Sequence, residues 1–200
     1  MEDHWANFLN PEIIRKRFVT AGLFMVVHEM LLSAIRDRLH DFYSDEWSSD
    51  NGWETTQIYK KKVLALDPKG KNDVLRGSLA WLCNCGAITE GDALSVRKFT
   101  DIRNKFAHEL RDIVGIGNAP DFDNFFPELV ELVTKIDRWW TINVEIATDP
   151  EMAGSNFSDD EVTPGSAIVM QILTRVALGD DTEAWELYHE FMGELKRSPT

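Results

Sequence analysis

Cysteine is scarce in this 200-residue sequence, which contains only Cys83 and Cys85. On a helix two such neighbours diverge by about 200°, which excludes a disulfide between them and a metal ion shared by them. Their spacing is neither that of a zinc site nor that of a CxxC redox pair. We therefore predict no metal and no cofactor, and we expect two buried thiols in a reducing compartment.

Long uninterrupted hydrophobic runs are also missing. The most apolar stretch, FVTAGLFMVVHEMLLSAI at 18–35, is interrupted by His28 and Glu29, whereas a membrane span needs about 18 apolar residues with few or no charges. The first residues, MEDHWANFLN, are acidic where a secretory signal would be basic and then apolar. We predict a soluble, cytoplasmic chain that does not bind a membrane.

Basic residues become scarce after residue 120. Residues 1–120 contain 16 Lys and Arg against 17 Asp and Glu, and residues 121–200 contain 5 against 17. Nearly all of the net charge of −13 therefore belongs to the C-terminal part, and a field of this sign opposes nonspecific nucleic-acid binding. The segment 97–112 is locally basic, so a polyanion could approach it unless the acidic C-terminal part folds over it as a shield.

What is present is helical periodicity. Asn10 and Pro11 form a helix start, with a capping residue before a proline at the first helical position. This helix is predicted to reach about Tyr43, and its middle is apolar on nearly every face, as expected of a helix surrounded by others. No stretch shows the sustained alternation of a strand. We predict an all-α fold, with a helical bundle at 1–145 and an acidic linker with a two-helix C-terminal extension at 146–200.

The remaining helix boundaries follow from capping and breaking residues. Asn72 is expected to cap a helix that Gly86 closes, and Thr89 is expected to open a long helix through Asp112. The other predicted helices cover 53–67, 122–146, 165–178 and 181–197.

The segment DIRNKFAHEL at 101–110 contains the candidate functional residues. Its helix has an apolar seam with a 3-4-3-4-3 spacing, formed by Val96, Phe99, Arg103, Phe106, Leu110 and Ile113. An arginine in such a seam needs a partner, because removing a guanidinium from water is costly unless it is paired. No acidic residue of the same helix lies three or four positions from Arg103, so another helix, a second chain or a ligand anion must supply that partner.

Arg103, Asn104 and His108 resemble the R-x4-6-H motif of the HEPN superfamily, including the polar residue that commonly follows the arginine. The longer string LRGSLAWLCNCGAITEGDALSVRKFTDIRNKFAHEL at 75–110 resembles the mannitol-repressor-like (MltR) branch of that superfamily. The resemblance is clear over about 75–110, is supported by helix order over 11–145, and fades after 146.

This resemblance implies a helical bundle that forms a homodimer with its motif helices adjacent. Active HEPN proteins are metal-independent endoribonucleases that leave a cyclic phosphate. Carried over residue by residue, His108 would be the general base or acid, Arg103 would hold the phosphate, and Asn104 would orient His108 or bind the phosphate. Such a ribonuclease would be a toxin-like, defence or stress component.

A second function is left open by the same residues. Members of the mannitol-repressor-like branch are associated with regulation, so the chain could instead be a non-catalytic module that binds a protein partner, such as an antitoxin or a transcription regulator. Arg103 would then belong to an ion-paired dimer interface.

Two other features carry less weight. His28 is expected to be a core or interface histidine, and PKGK at 68–71 lacks the first glycine of a phosphate-binding loop.

Overall fold

Helices account for most of the chain, and the protein is an all-α bundle, as predicted. The computed structural model describes residues 9–44, 47–48, 52–53, 56–116, 121–152, 154, 158, 161–179 and 181–195. The helices are α1 (Pro11–Phe42), α2 (Gln57–Lys62), α3 (Val74–Asn84), α4 (Glu90–Ile116), α5 (Phe122–Trp140), α6 (Gly165–Leu178) and α7 (Asp181–Leu195).

Shorter elements connect or extend these helices. They are a π-helical section of α1 (Ser33–Asp37), a 3-10 turn (Leu64–Leu66), a π-helical extension of α5 (Thr141–Ile146), and the paired strands β1 (Trp47–Ser48) and β2 (Gly52–Trp53). The helix expected over 53–67 is therefore shorter than predicted. It begins after Thr56, whose hydroxyl accepts a hydrogen bond from the Tyr59 amide. Trp53, where the helix was expected to begin, instead belongs to β2, which pairs with β1.

The bundle is organised around α1, which packs against α4, α5 and α6. The helix begins as predicted, because the Asn10 side chain accepts hydrogen bonds from the amides of Glu12 and Ile13. By length and composition α1 could cross a membrane, and 44% of its most apolar window is buried inside the fold. The core helix of a soluble protein meets the same criterion, so the cytoplasmic localisation stays a prediction.

One prediction about α1 is wrong: neighbouring helices do not surround it on every side. Phe24, Val27 and Leu31 are fully buried, whereas Phe18 is 54% exposed and Val26 is 47% exposed. Within the part of the chain that the structure describes, α4, α5 and α6 cover only part of this helix, because its apolar residues extend around more of its circumference than these three helices contact. The uncovered part is an open apolar face.

The turn before α3 corrects a capping assignment and explains the PKGK segment. The helix cap is Asp73, whose carboxylate accepts from the Arg76 amide and whose backbone is extended, whereas the preceding Asn72 has a φ of 54°, outside the extended region typical of an N-cap. The amides of Lys69, Lys71 and Asp73 all donate to the Asp67 carboxylate at 3.0–3.1 Å. These amides could cradle an anion, and the chain fills the position with its own aspartate.

Glycine is required where α3 crosses the 3-10 turn. A Cβ at Gly77 would lie 2.6 Å from the carbonyl oxygen of Val63, which is far inside contact distance. The absent side chain lets the two backbones approach, and this fixes α3 against the core. At its other end α3 closes as predicted at Gly86, which has a φ of 74°.

The C-terminal helices extend the packing of the bundle. α6 contacts both α1 and α5, and its Met170 is 1% exposed within the same hydrophobic core. α7 packs on α6. The proposed division of the chain at 146 stays a prediction, but the packing of α6 means that removing it would expose apolar core.

The cysteines differ from each other in exposure. Cys83 is half-buried and Cys85 is exposed, so the prediction of two buried thiols is wrong for Cys85. The cause is the two-residue offset itself, which directs the side chains to different sides of the helix. Both are free thiols whose pKa is raised by partial desolvation of the sulfur, with the carboxylates of Glu90 and Asp92 adding to the effect at Cys83.

Candidate functional site

The motif helix α4 is anchored at its start by a reciprocal cap. The Thr89 hydroxyl accepts from the Asp92 amide at 3.1 Å, and the Asp92 carboxylate accepts from the Thr89 amide at 2.8 Å. Asp92 also pairs with Lys135 of α5 at 2.7 Å. These contacts set where α4 begins and hold it against α5.

The rotation of α4 is set by the apolar seam that the sequence predicts. Val96, Phe99, Phe106 and Ile113 are at most 3% exposed, while the side chain of Leu110 lies outside the described residues. With these positions buried, Asn104 and His108 must point away from the core, and both are exposed. The seam therefore orients the whole candidate site.

Arg103 has a partner from another helix. Its Nη2 lies 3.8 Å from Oε1 of Glu29 on α1, and the side chains are 36% and 55% exposed. This confirms that α4 does not supply the partner. A long, solvent-accessible pair of this kind contributes only about 0–1 kcal/mol, so an incoming phosphate could displace the carboxylate at little cost.

A buried histidine lies beneath this ion pair. His28 is 1% exposed, which confirms that it is a core residue, and its Nε2 lies 3.4 Å from Oγ1 of Thr100. Burial lowers the pKa of His28, Glu29 opposes that shift, and the positive charge of Arg103 contributes to lowering it. His28 therefore favours its neutral form and adds no positive charge next to Arg103.

The single chain does not bring the full motif together. Asn104 and His108 are four positions apart and lie on the same side of α4, but no described contact joins Arg103 to His108, which lie 140° apart on an ideal helix. Directly after His108 the helix is kinked at Glu109, which has φ −116° and ψ 16°. His108 thus belongs to the last regular turn before a change in helix direction.

The open face of α1 borders the motif. We use this name for Phe18, Gly22, Met25 and Val26. A depression of about 230 Å³ joins Phe18, Gly22 and Met25 to Ala107, the residue before His108. A Cβ on Gly22 would meet nothing within 4 Å, so another backbone could approach closely at this point.

Glu29 and His28 are the residues at this site whose connection to Arg103 the sequence did not reveal. They interrupt an apolar run, which is a signal that a polar contact is made there, but nothing in the sequence identifies the contact. Among the described residues no group of three or more His, Cys, Asp or Glu side chains could hold a metal ion.

The charge around the motif is mixed. Arg97 and Lys105 are exposed cations of α4, whereas Lys98 is paired with Glu128 of α5 at 3.1 Å. The exposed face therefore offers basic groups beside Arg103, Asn104 and His108.

No family model matches the chain, and no curated protein or solved structure matches it either.

Proposed function

We propose that the protein is a metal-independent endoribonuclease of HEPN type, a toxin-like, defence or stress component that acts as a homodimer. The observation that carries the proposal is the presentation of Asn104 and His108 to solvent on one side of α4, beside an Arg103 whose only described ion pair is weak. Exposed side chains are accessible to an RNA backbone, and a pair worth only about 0–1 kcal/mol leaves Arg103 able to bind a phosphate instead.

In the proposed reaction His108 accepts the proton of an RNA 2′-hydroxyl. The O2′ atom then forms a bond to the adjacent phosphorus, the P–O5′ bond breaks, and the leaving 5′-oxygen takes a proton from the His108 of a second copy. Arg103 leaves Glu29 and pairs with the phosphate as its charge develops. Asn104, one turn before His108, hydrogen-bonds either that ring or the phosphate.

The dimer is proposed because Arg103 and His108 of a single chain make no described contact with each other. In a two-fold dimer the same surface of each copy is used twice, so residues near the axis come together in pairs. The open face of α1 lies beside the motif and carries large exposed apolar side chains. Covering it with a second copy would bury that surface and place two motif helices side by side.

The function is tested by incubating the purified protein with mixed RNA in EDTA. We expect cleavage, because no step needs a metal, and we expect fragments that end in 2′,3′-cyclic phosphate, because the attacking group is the neighbouring 2′-hydroxyl. The ends are measured by resistance to direct ligation and by mass. A well-folded protein that leaves the RNA intact would contradict the proposal.

A Val26→Glu substitution is expected to convert the dimer to a monomer. The change places a charge on the open face, where a second copy would bury it without a partner. Val26 is 47% exposed in the chain, so folding of the subunit should be unaffected. Sedimentation velocity would show the mass falling to about half.

Ile58→Glu is the matched control for this substitution. Ile58 is 51% exposed on α2 and is not part of the open face. It should leave the dimer intact. A wild-type protein that sediments as a monomer, or a dimer that survives Val26→Glu, would show that this face is not the interface.

The contact between Arg103 and Glu29 also favours a second candidate function. If that pair is structural, the protein is a non-catalytic mannitol-repressor-like module that binds a protein partner, an antitoxin or a transcription regulator. The RNA-cleavage and sedimentation experiments described above distinguish the two functions. The regulator would form the same Val26-sensitive dimer but release no RNA fragments.

A further inference from the structure

A cavity of about 640 Å³ lies at the end of the bundle opposite the tryptophan-rich α3–α5 contact. It is half open to solvent and is lined by the first half of α1, the second half of α4, the start of α5 and the end of α6. Its volume falls within the roughly 300–1,000 Å³ typical of small-molecule sites. Its described apolar lining residues are Ile13, Val19, Phe106, Ile113, Phe122, Ala177 and Leu178.

The mouth of this cavity is basic. Arg15, Lys16 and Arg17 line it consecutively, and among the described lining residues Asp123 is the only acidic one. Arg17 has a contact elsewhere in the chain, so the argument depends on Arg15 and Lys16, both of which are exposed. Two available cations at an apolar cavity stand out in a protein whose net charge is −13.

We infer that this cavity binds a small amphiphilic anion, an aliphatic chain ending in a carboxylate. The chain would lie against Val19 and Leu178, which are 37% and 39% exposed, and the carboxylate would lie at Arg15 and Lys16. An extended RNA backbone fits less well, because it has no apolar body to fill a cavity with this lining. The inference is independent of the proposed ribonuclease activity.

Chain length provides the first test. Hexanoate, octanoate and decanoate are titrated into the full-length protein by calorimetry, below their micelle concentrations. Each pair of added methylene groups should tighten binding by about tenfold, because each buried methylene contributes about 0.8 kcal/mol. Octanol, which has the tail without the charge, should bind more weakly than octanoate.

Charge reversal at the mouth provides the second test. Arg15→Glu/Lys16→Glu should weaken octanoate binding by about tenfold and leave octanol binding nearly unchanged. Lys60→Glu/Lys61→Glu on α2 changes the net charge equally but at another surface, so it should alter octanoate binding by less than about twofold. Ala177→Trp, which places a bulky ring in the cavity from α6, should weaken binding of both ligands, with thermal melting used to confirm the fold.

Three results would overturn the inference. Absence of binding by decanoate would show that the cavity takes no such ligand, and equal losses in both charge-reversed variants would show that only the overall field matters. If Arg15→Glu/Lys16→Glu weakened binding of a short RNA but not of octanoate, the basic residues would serve a nucleic acid instead.

Discussion

Replacing His108 with alanine is expected to lower the rate of RNA cleavage by about 10²–10⁴-fold, the usual contribution of a general acid or base. The fold should be unaffected, because the side chain is exposed on α4 and truncation at such positions changes stability by no more than about 0.5 kcal/mol. The measurement is the cleavage rate of an end-labelled RNA in EDTA, with thermal melting of the same samples.

His189→Ala serves as the control for loss of an exposed histidine. His189 lies on α7, where it stacks with Trp185, and it is not part of the proposed site. It should retain the wild-type rate. If His108→Ala also cleaves at that rate, the activity belongs to a contaminating nuclease or to other residues, and if His108→Ala melts well below wild type, the residue is structural.

Much of the fold could be predicted because its signals are local. The cap at Asn10, the reciprocal cap of Thr89 and the positive φ of Gly86 each depend on residues within a few positions. The seam of α4 likewise follows from spacing alone. The sequence was less informative where the outcome depends on contacts distant along the chain, as for the α1 surface that its neighbours leave open.

The candidate site shows the same division. Periodicity placed Arg103 in the seam and excluded partners on its own helix, but its side chain is 36% exposed, and its partner, Glu29, is 74 positions away in a mostly apolar stretch. The exposure of His108 follows from the burial of Phe106 and Ile113. No local pattern shows whether a second copy completes the site, because that depends on a surface and not on a motif.

The carboxylate of Asp67 is expected to be the most important single polar group for stability. It is 4% exposed and accepts from Arg76 at Nε (2.7 Å) and Nη2 (3.0 Å) as well as from three backbone amides. Asp67→Asn would remove the charge and place an amide NH₂ among donors, which removes one of the two hydrogen bonds from Arg76 and leaves at least one backbone amide unpaired. We expect the melting temperature to fall by about 10 °C.

The same substitution should change the dependence of stability on pH. The hydrogen bonds from Arg76, helped by the backbone amides, hold the pKa of Asp67 well below its ordinary value of 3.8. A lowered pKa in the folded state means that the contribution is fully present above the unfolded value and decreases as pH falls through and below it. Wild type should therefore lose stability towards acid more steeply than Asp67→Asn, as measured by urea unfolding between about pH 3 and 7.

Glu128→Gln is the control that distinguishes the effect of losing the buried Asp67 carboxylate from the effect of losing an ordinary surface ion pair. Glu128 pairs with Lys98 at 3.1 Å, but the side chains are 54% and 55% exposed, so its loss should cost no more than about 1 kcal/mol. Asp67 also orders the turn from which α3 begins, and α3 is held against the core where Gly77 meets Val63. If Asp67→Asn melts like Glu128→Gln, the turn is held by its backbone conformation and packing, and the buried carboxylate is not what orders it.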